Sequence, residues 1–128
     1  MSASTPSDRL YSLLDAHLCT ENADPRAVAS WVCVGAEAIR NEGVREVYRQ
    51  AMERVRDELE TRLQDWLIEE GRVTDNASQG AAALLSLIEG AYQLGVTAPD
   101  LLPPGFAAPM ARMMARSWVA DEEQLEPS

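Results

Sequence analysis

The groups in this chain that could do covalent or acid–base chemistry are one histidine, two cysteines and scattered carboxylates. Because His17 is the single histidine, His-pair metal spacings are excluded, and a Ser–His–Asp triad would have to recruit it with no supporting signature. It reads as a histidine at the edge of a core or in a pocket wall. Cys19 and Cys33 stand in neither a Cys-x-x-Cys nor a Cys/His ligand spacing, and no secretory leader is evident. The expectation is two reduced thiols in a cytoplasmic protein. Asp24, Glu37, Glu69, Glu70 and Glu89 are spaced as ordinary helix carboxylates, with no paired acid and base. Gly80 and Gly90 fall inside a helical pattern, where they cannot form a phosphate loop and instead suit close helix approach. No catalytic residue, metal site or cofactor is therefore expected, and the chain does not read as an enzyme.

Composition narrows the partners. The chain has 128 residues, enough for one domain, and 46% of them are hydrophobic, enough for a proper core. All 11 basic residues are arginine, against 21 Asp and Glu, for a net charge of −10. A nucleic-acid binder displaces counterions with a positive footprint, which this balance lacks, so no direct DNA binding is expected. The longest apolar run, residues 80–94, is broken by Ser86, Glu89 and Gln93 and is too short and polar for a membrane span.

The elements that must position any site are helical throughout. Thr5-Pro6-Ser7-Asp8 fits a capping box, after which Leu10, Leu13, Leu14, His17 and Leu18 recur at helical spacing. Asp24-Pro25 opens a second helix whose Val28, Trp31, Val32, Gly35, Ala38 and Ile39 share one side. Asn41-Glu42-Gly43 breaks it and starts the longest helix, about 28 residues or roughly 40 Å, ending at a glycine C-cap, Gly71. Along it runs an apolar stripe from Val44 through Leu59, Leu63 and Trp66 to Leu67, with mixed charges outside. Thr74-Asp75-Asn76 caps a fourth helix that ends near Gly95. Projected at 100° per residue, it shows one face of Ala81, Leu84, Leu85, Ile88, Ala91 and Tyr92. A second face of smaller residues holds Gly80, Ala83, Leu87, Gly90 and Leu94. So wide an apolar arc predicts burial from two directions. After a proline-rich connection, Phe106, Met110, Met113, Met114, Ser117 and Trp118 trace a fifth helix, with Pro109 in its first turn. The expectation is an all-α fold, one domain over residues 1–120 and a frayed acidic tail over 121–128.

The order of these elements carries a family resemblance. WVCVGAEAIRN, residues 31–41, is followed by a long charged helix ending in EEGRV and then by AAALLSLIEGAYQLG, residues 81–95, with its Glu89-Gly90 pair. This sequence resembles the C-terminal ligand-binding and dimerisation domain of tetracycline-repressor (TetR) family transcriptional regulators, nearest the choline-sensing betaine regulators. The match runs from about residue 25 to 119. Family members begin with a helix-turn-helix DNA reader, and here the first helix leads straight into the effector region. The expectation is an excised domain or a natural short protein without the reader.

The resemblance implies a pocket in the bundle for a small-molecule effector. Gly35 leaves space beside Trp31, while Tyr48, Met52, Ile88 and Tyr92 are expected to face inward, suiting a small, mostly apolar ligand. The same residues could equally fill a core. The choline-sensing relatives would further suggest Trp31 with Tyr48 or Tyr92 as part of an aromatic cage. The resemblance also implies a homodimer in which the last two helices form a four-helix bundle. Gly80, Ala83, Leu87, Gly90, Leu94, Met110, Met113, Met114 and Trp118 are the expected interface. The alternative is a stand-alone helical interaction module, or a heterodimerising antagonist of a full-length regulator, with no ligand.

Overall fold

Single residues write most of the helix boundaries. The Thr5 hydroxyl accepts from the Asp8 amide at 3.1 Å and the Asp8 carboxylate accepts from the Thr5 amide at 3.2 Å, a reciprocal cap that opens α1, Pro6–Leu18. Asp24 accepts from the Arg26 amide at 3.0 Å to open α2, Pro25–Ala38. Asn41 accepts from the Val44 amide at 3.1 Å to open α3, Glu42–Glu69. Gly71, at φ 68°, lets the Arg72 amide reach back to the Leu67 carbonyl at 2.8 Å and so closes α3 in a Schellman turn. Next come α4, Ala77–Thr97, a 3-10 turn, Pro99–Leu101, and α5, Ala107–Ala120. The computed structural model describes residues 4–19 and 24–121, so the expected acidic tail lies, beyond Asp121, outside the described residues.

These five helices form an all-α bundle, with α3 and α4 packed most extensively along each other. Leu10, Leu14 and Leu18 of α1 meet Leu59, Leu63, Trp66 and Leu67 of α3, and Ala77, Ala81, Leu84 and Ile88 of α4. Ala111, Ala115 and Val119 of α5 complete the core. Each large apolar side chain withdrawn from water in this way contributes roughly 1.5–3 kcal/mol. The core is placed unevenly. The buried residues of α3 lie in its second half, those of α4 from its start to Ile88, and α2 buries only Ala38. α5 is tied to α1 by an ion pair between Arg112 and Asp15, and the Arg112 guanidinium lies 5.7 Å from the centre of the Tyr11 ring. Tyr11 in turn meets Trp66 edge-on.

One expectation changes. Gly80, placed by helical projection on the outer small-residue face of α4, is buried inside the chain. A Cβ there would lie 2.9 Å from the indole of Trp118, so the ring packs directly on the α4 backbone. The reason is that α5 crosses α4 near its start, where only a glycine admits an indole. Ala83 and Leu94 are exposed, while Leu87 and Gly90 are half-buried. On α5, Met113 is 45% exposed and Met110 and Met114 are half-buried.

A candidate ligand site between α2, α3 and α4

Where the core thins, three helices are joined by polar contacts. Glu89, projecting from α4 past the last large core residue Ile88, accepts from the Trp31 indole N–H of α2 at 3.2 and 3.3 Å. It also accepts from the Tyr48 hydroxyl of α3 at 2.6 Å. The Trp31 and Tyr48 rings stack with centroids 4.8 Å apart and planes 19° apart. Gly35, one turn beyond Trp31, makes room for this arrangement: a Cβ there would come within 3.3 Å of Tyr48 Cε2. Among the described residues no Arg is paired with Glu89, whose carboxylate is held by two neutral donors.

The electrostatics follow from this geometry. Burial, the hydrogen bond to Glu89 and the charge of Glu89 together push the Tyr48 phenol well above its ordinary value. Tyr92, one turn from Glu89 on α4, donates to the His17 carbonyl at 2.6 Å. Burial first, and then the Glu89 charge, raise its phenol as well. Both hydroxyls are therefore fixed as neutral donors at any physiological pH.

Two cavities flank the cluster. One, of about 340 Å³, is bordered by His17, Val28, Trp31, Met52, Glu89 and Tyr92, with Ile88 as its floor. The other, of about 450 Å³, is bordered by Trp31, Gly35, Ile39, Tyr48, Glu89 and Gly90. The six residues expected at a pocket thus divide in two. Trp31, Met52, Ile88 and Tyr92 line the first cavity, and Trp31, Gly35 and Tyr48 the second. Ile88 is fully buried and belongs to the core as much as to the cavity. Trp31 and Tyr48 lie on each other instead of standing apart as walls of a cage. Glu89, taken in the sequence for an ordinary helix carboxylate, borders both cavities, as Trp31 does, and joins the three helices. The available signal was its place at the edge of the polar wedge of α4, next to the inward-facing Leu85 and Tyr92.

The fold and this cluster define a cavity-bearing helical bundle with an acidic-aromatic centre, the build of a binding domain. The chain belongs to the family of BetI-type transcriptional repressor C-terminal domains, whose family model matches residues 6–121. That is a family of transcription regulators and not of enzymes, and its C-terminal domains serve in general for effector binding and dimerisation. No curated protein matches the chain. No solved structure matches it either. Among the described residues no helix is long and apolar enough to cross a membrane.

Proposed function

We propose that this chain is the effector-sensing and homodimerising part of a cytoplasmic transcription regulator, and that its effector is a small, mostly apolar molecule held between α2, α3 and α4. The observation that carries this reading is the Trp31–Tyr48–Glu89 cluster, which links three helices across cavities of about 340 and 450 Å³. A packed core would leave neither the space nor the carboxylate there. Ligand that favours one arrangement of the three helices shifts the population towards it, and the dimer geometry follows. The dimer forms through α4 and α5, whose Ala83, Leu87, Gly90, Leu94, Met110, Met113 and Met114 offer a strip of small and flexible apolar residues. Gly80 and Trp118 support that strip from within. With a net charge of −10, the chain itself makes no contact with DNA.

A thermal-shift screen against apolar and cationic small molecules tests the reading. A binder of the folded state raises the apparent stability, and Gly35→Leu, which would drive a side chain into Tyr48, removes that gain. No stabilising compound, with an unchanged Gly35→Leu profile, would leave an interaction module without a ligand. Sedimentation of the wild type should show a dimer at micromolar concentration, and Leu87→Glu should dissociate it.

A further inference from the structure

A third cavity, of about 350 Å³, opens between the end of α1, the start of α2, the last turns of α4 and the connection to α5. His17, Val28 and Tyr92 form a wall that it shares with the 340 Å³ cavity beside Glu89. Tyr92 is fixed in that wall by its hydrogen bond to the His17 carbonyl, at 2.6 Å. Another wall is the connection itself, where Pro99, Pro103 and Pro104 each lock φ and Gly105 turns the chain at φ 69°. So short a stretch with three fixed residues has little freedom to fold into the space. Prolines also lack an amide hydrogen, so these three and Pro25 present no backbone donor to it. The described residues that border the chamber include no Asp, Glu or Arg, and their polar side chains are His17 and Tyr92. Val96 and Phe106, 40% and 37% exposed, leave apolar surface at its edge.

We infer that this chamber is a second ligand site, for an uncharged, compact molecule of about two fused rings. An apolar cavity of about 150 Å³ takes one benzene, so 350 Å³ has room for about two rings. A charged group entering the chamber would shed its water and meet no opposite charge among the described residues, which selects against ions of either sign. One polar group is accommodated at the wall of His17 and Tyr92. The Tyr92 hydrogen is committed to the His17 carbonyl, so the phenol oxygen is left to accept, and the imidazole offers a ring N–H. A ring system in the chamber also covers apolar surface of Val96 and Phe106. The site differs from the one at Glu89 in place and in chemistry, and it does not depend on an effector binding there.

The test is a methyl NMR titration of the whole chain with indole, beside pyrrole, indoleacetate and tryptamine. Affinity is read at the Val96 and Leu102 methyls, which border this chamber, with the Met52 methyl reporting on the cavity beside Glu89. Indole should shift Val96 and Leu102 and leave Met52 unmoved. At these methyls indole should bind roughly tenfold or more tighter than pyrrole, since each buried hydrocarbon carbon is worth roughly three- to fourfold. The anion indoleacetate and the cation tryptamine should bind there at least about tenfold more weakly than indole. Gly95→Phe, at a position on the chamber where a Cβ meets nothing within 4 Å, should weaken indole by about tenfold or more. The four probes on the unaltered protein decide the matter even where the variant does not fold. Ions shifting Val96 and Leu102 at the same concentrations as indole, indole shifting Met52 alone, or no shift at all would overturn the inference and leave the reading at Glu89 standing. If no probe binds and Phe106→Asp dissociates the dimer in sedimentation, a second copy of the chain covers the chamber instead.

Discussion

The two ends of this bundle are built differently from one stretch of similar helices. At one end, the second half of α3, the start of α4 and α5 close around α1 with leucines and alanines that are wholly buried. At the other, α2 and the first half of α3 meet the later turns of α4 through half-buried aromatics, a carboxylate and cavities. The difference lies in what α4 presents. Its Ala77, Ala81, Leu84 and Ile88 recur on one face, and then Glu89 and Tyr92 replace further aliphatics. Buried core residues are concentrated at the first end, and the cavities open where packing is looser. An element can thus anchor the fold with one half and border cavities with the other.

The contrast can be broken most directly by deletion. Leu63→Ala, in the tight end, should cost about 2–5 kcal/mol in urea unfolding, whereas Met52→Ala, on a cavity wall, should cost about 1 kcal/mol or less. Equal costs would mean that the open end is as well packed as the closed one. Overfilling gives the next largest effect. Gly80→Leu meets the Trp118 ring and should lose about 1–3 kcal/mol, while Gly35→Ala, facing the movable edge of Tyr48, should lose under about 1 kcal/mol. Glu89→Ala leaves the Trp31 N–H and the Tyr48 hydroxyl without their acceptor and should cost about 1 kcal/mol, since water reaches this half-buried site.

An alkaline titration sharpens the same comparison. A phenol whose folded pKa lies above its unfolded one, near 10, contributes stability that is fully present below that value. That contribution is lost as the pH rises from there through the raised folded pKa. Urea unfolding above about pH 10 should therefore show falling stability, and Tyr48→Phe should flatten that limb more than Tyr92→Phe, since Tyr48 has the additional hydrogen bond to Glu89. The smallest effect is expected at Gly90→Ala. A Cβ there meets nothing within the chain, so better helix propensity should stabilise the monomer by up to about 1 kcal/mol. A weaker dimer in sedimentation would accompany it if partner helices approach closely at this point.

What the sequence made legible was the local chemistry. Thr5, Asp24, Asn41 and Gly71 act within a few residues of themselves, so caps and breaks could be assigned without knowing the neighbours. Helical period likewise marked Ala81, Leu84 and Ile88 as inward-facing. The role of Glu89 was not legible, because it depends on Tyr48 and Trp31, 41 and 58 residues away, and on the crossing of three helices. Gly80 and Trp118 were both assigned to a dimer face, whereas the Trp118 ring packs on Gly80 within the chain, because that contact depends on where α5 crosses α4. Periodicity gives a face, and it does not give a crossing point.

The asymmetry of α3 has a mechanical side. Held at Leu59, Leu63, Trp66 and Leu67, the helix has a fulcrum near one end, and roughly 25 Å of rod extends from Leu59 back to Glu42 at 1.5 Å per residue. A tilt of about 5° at the fulcrum would swing the far tip by ~2 Å on that lever arm. That tip is joined through Asn41 to α2, which carries Trp31. Adjustments too small to disturb the leucine core are thus geared up into displacements the size of a bond length or more at the cavity mouth.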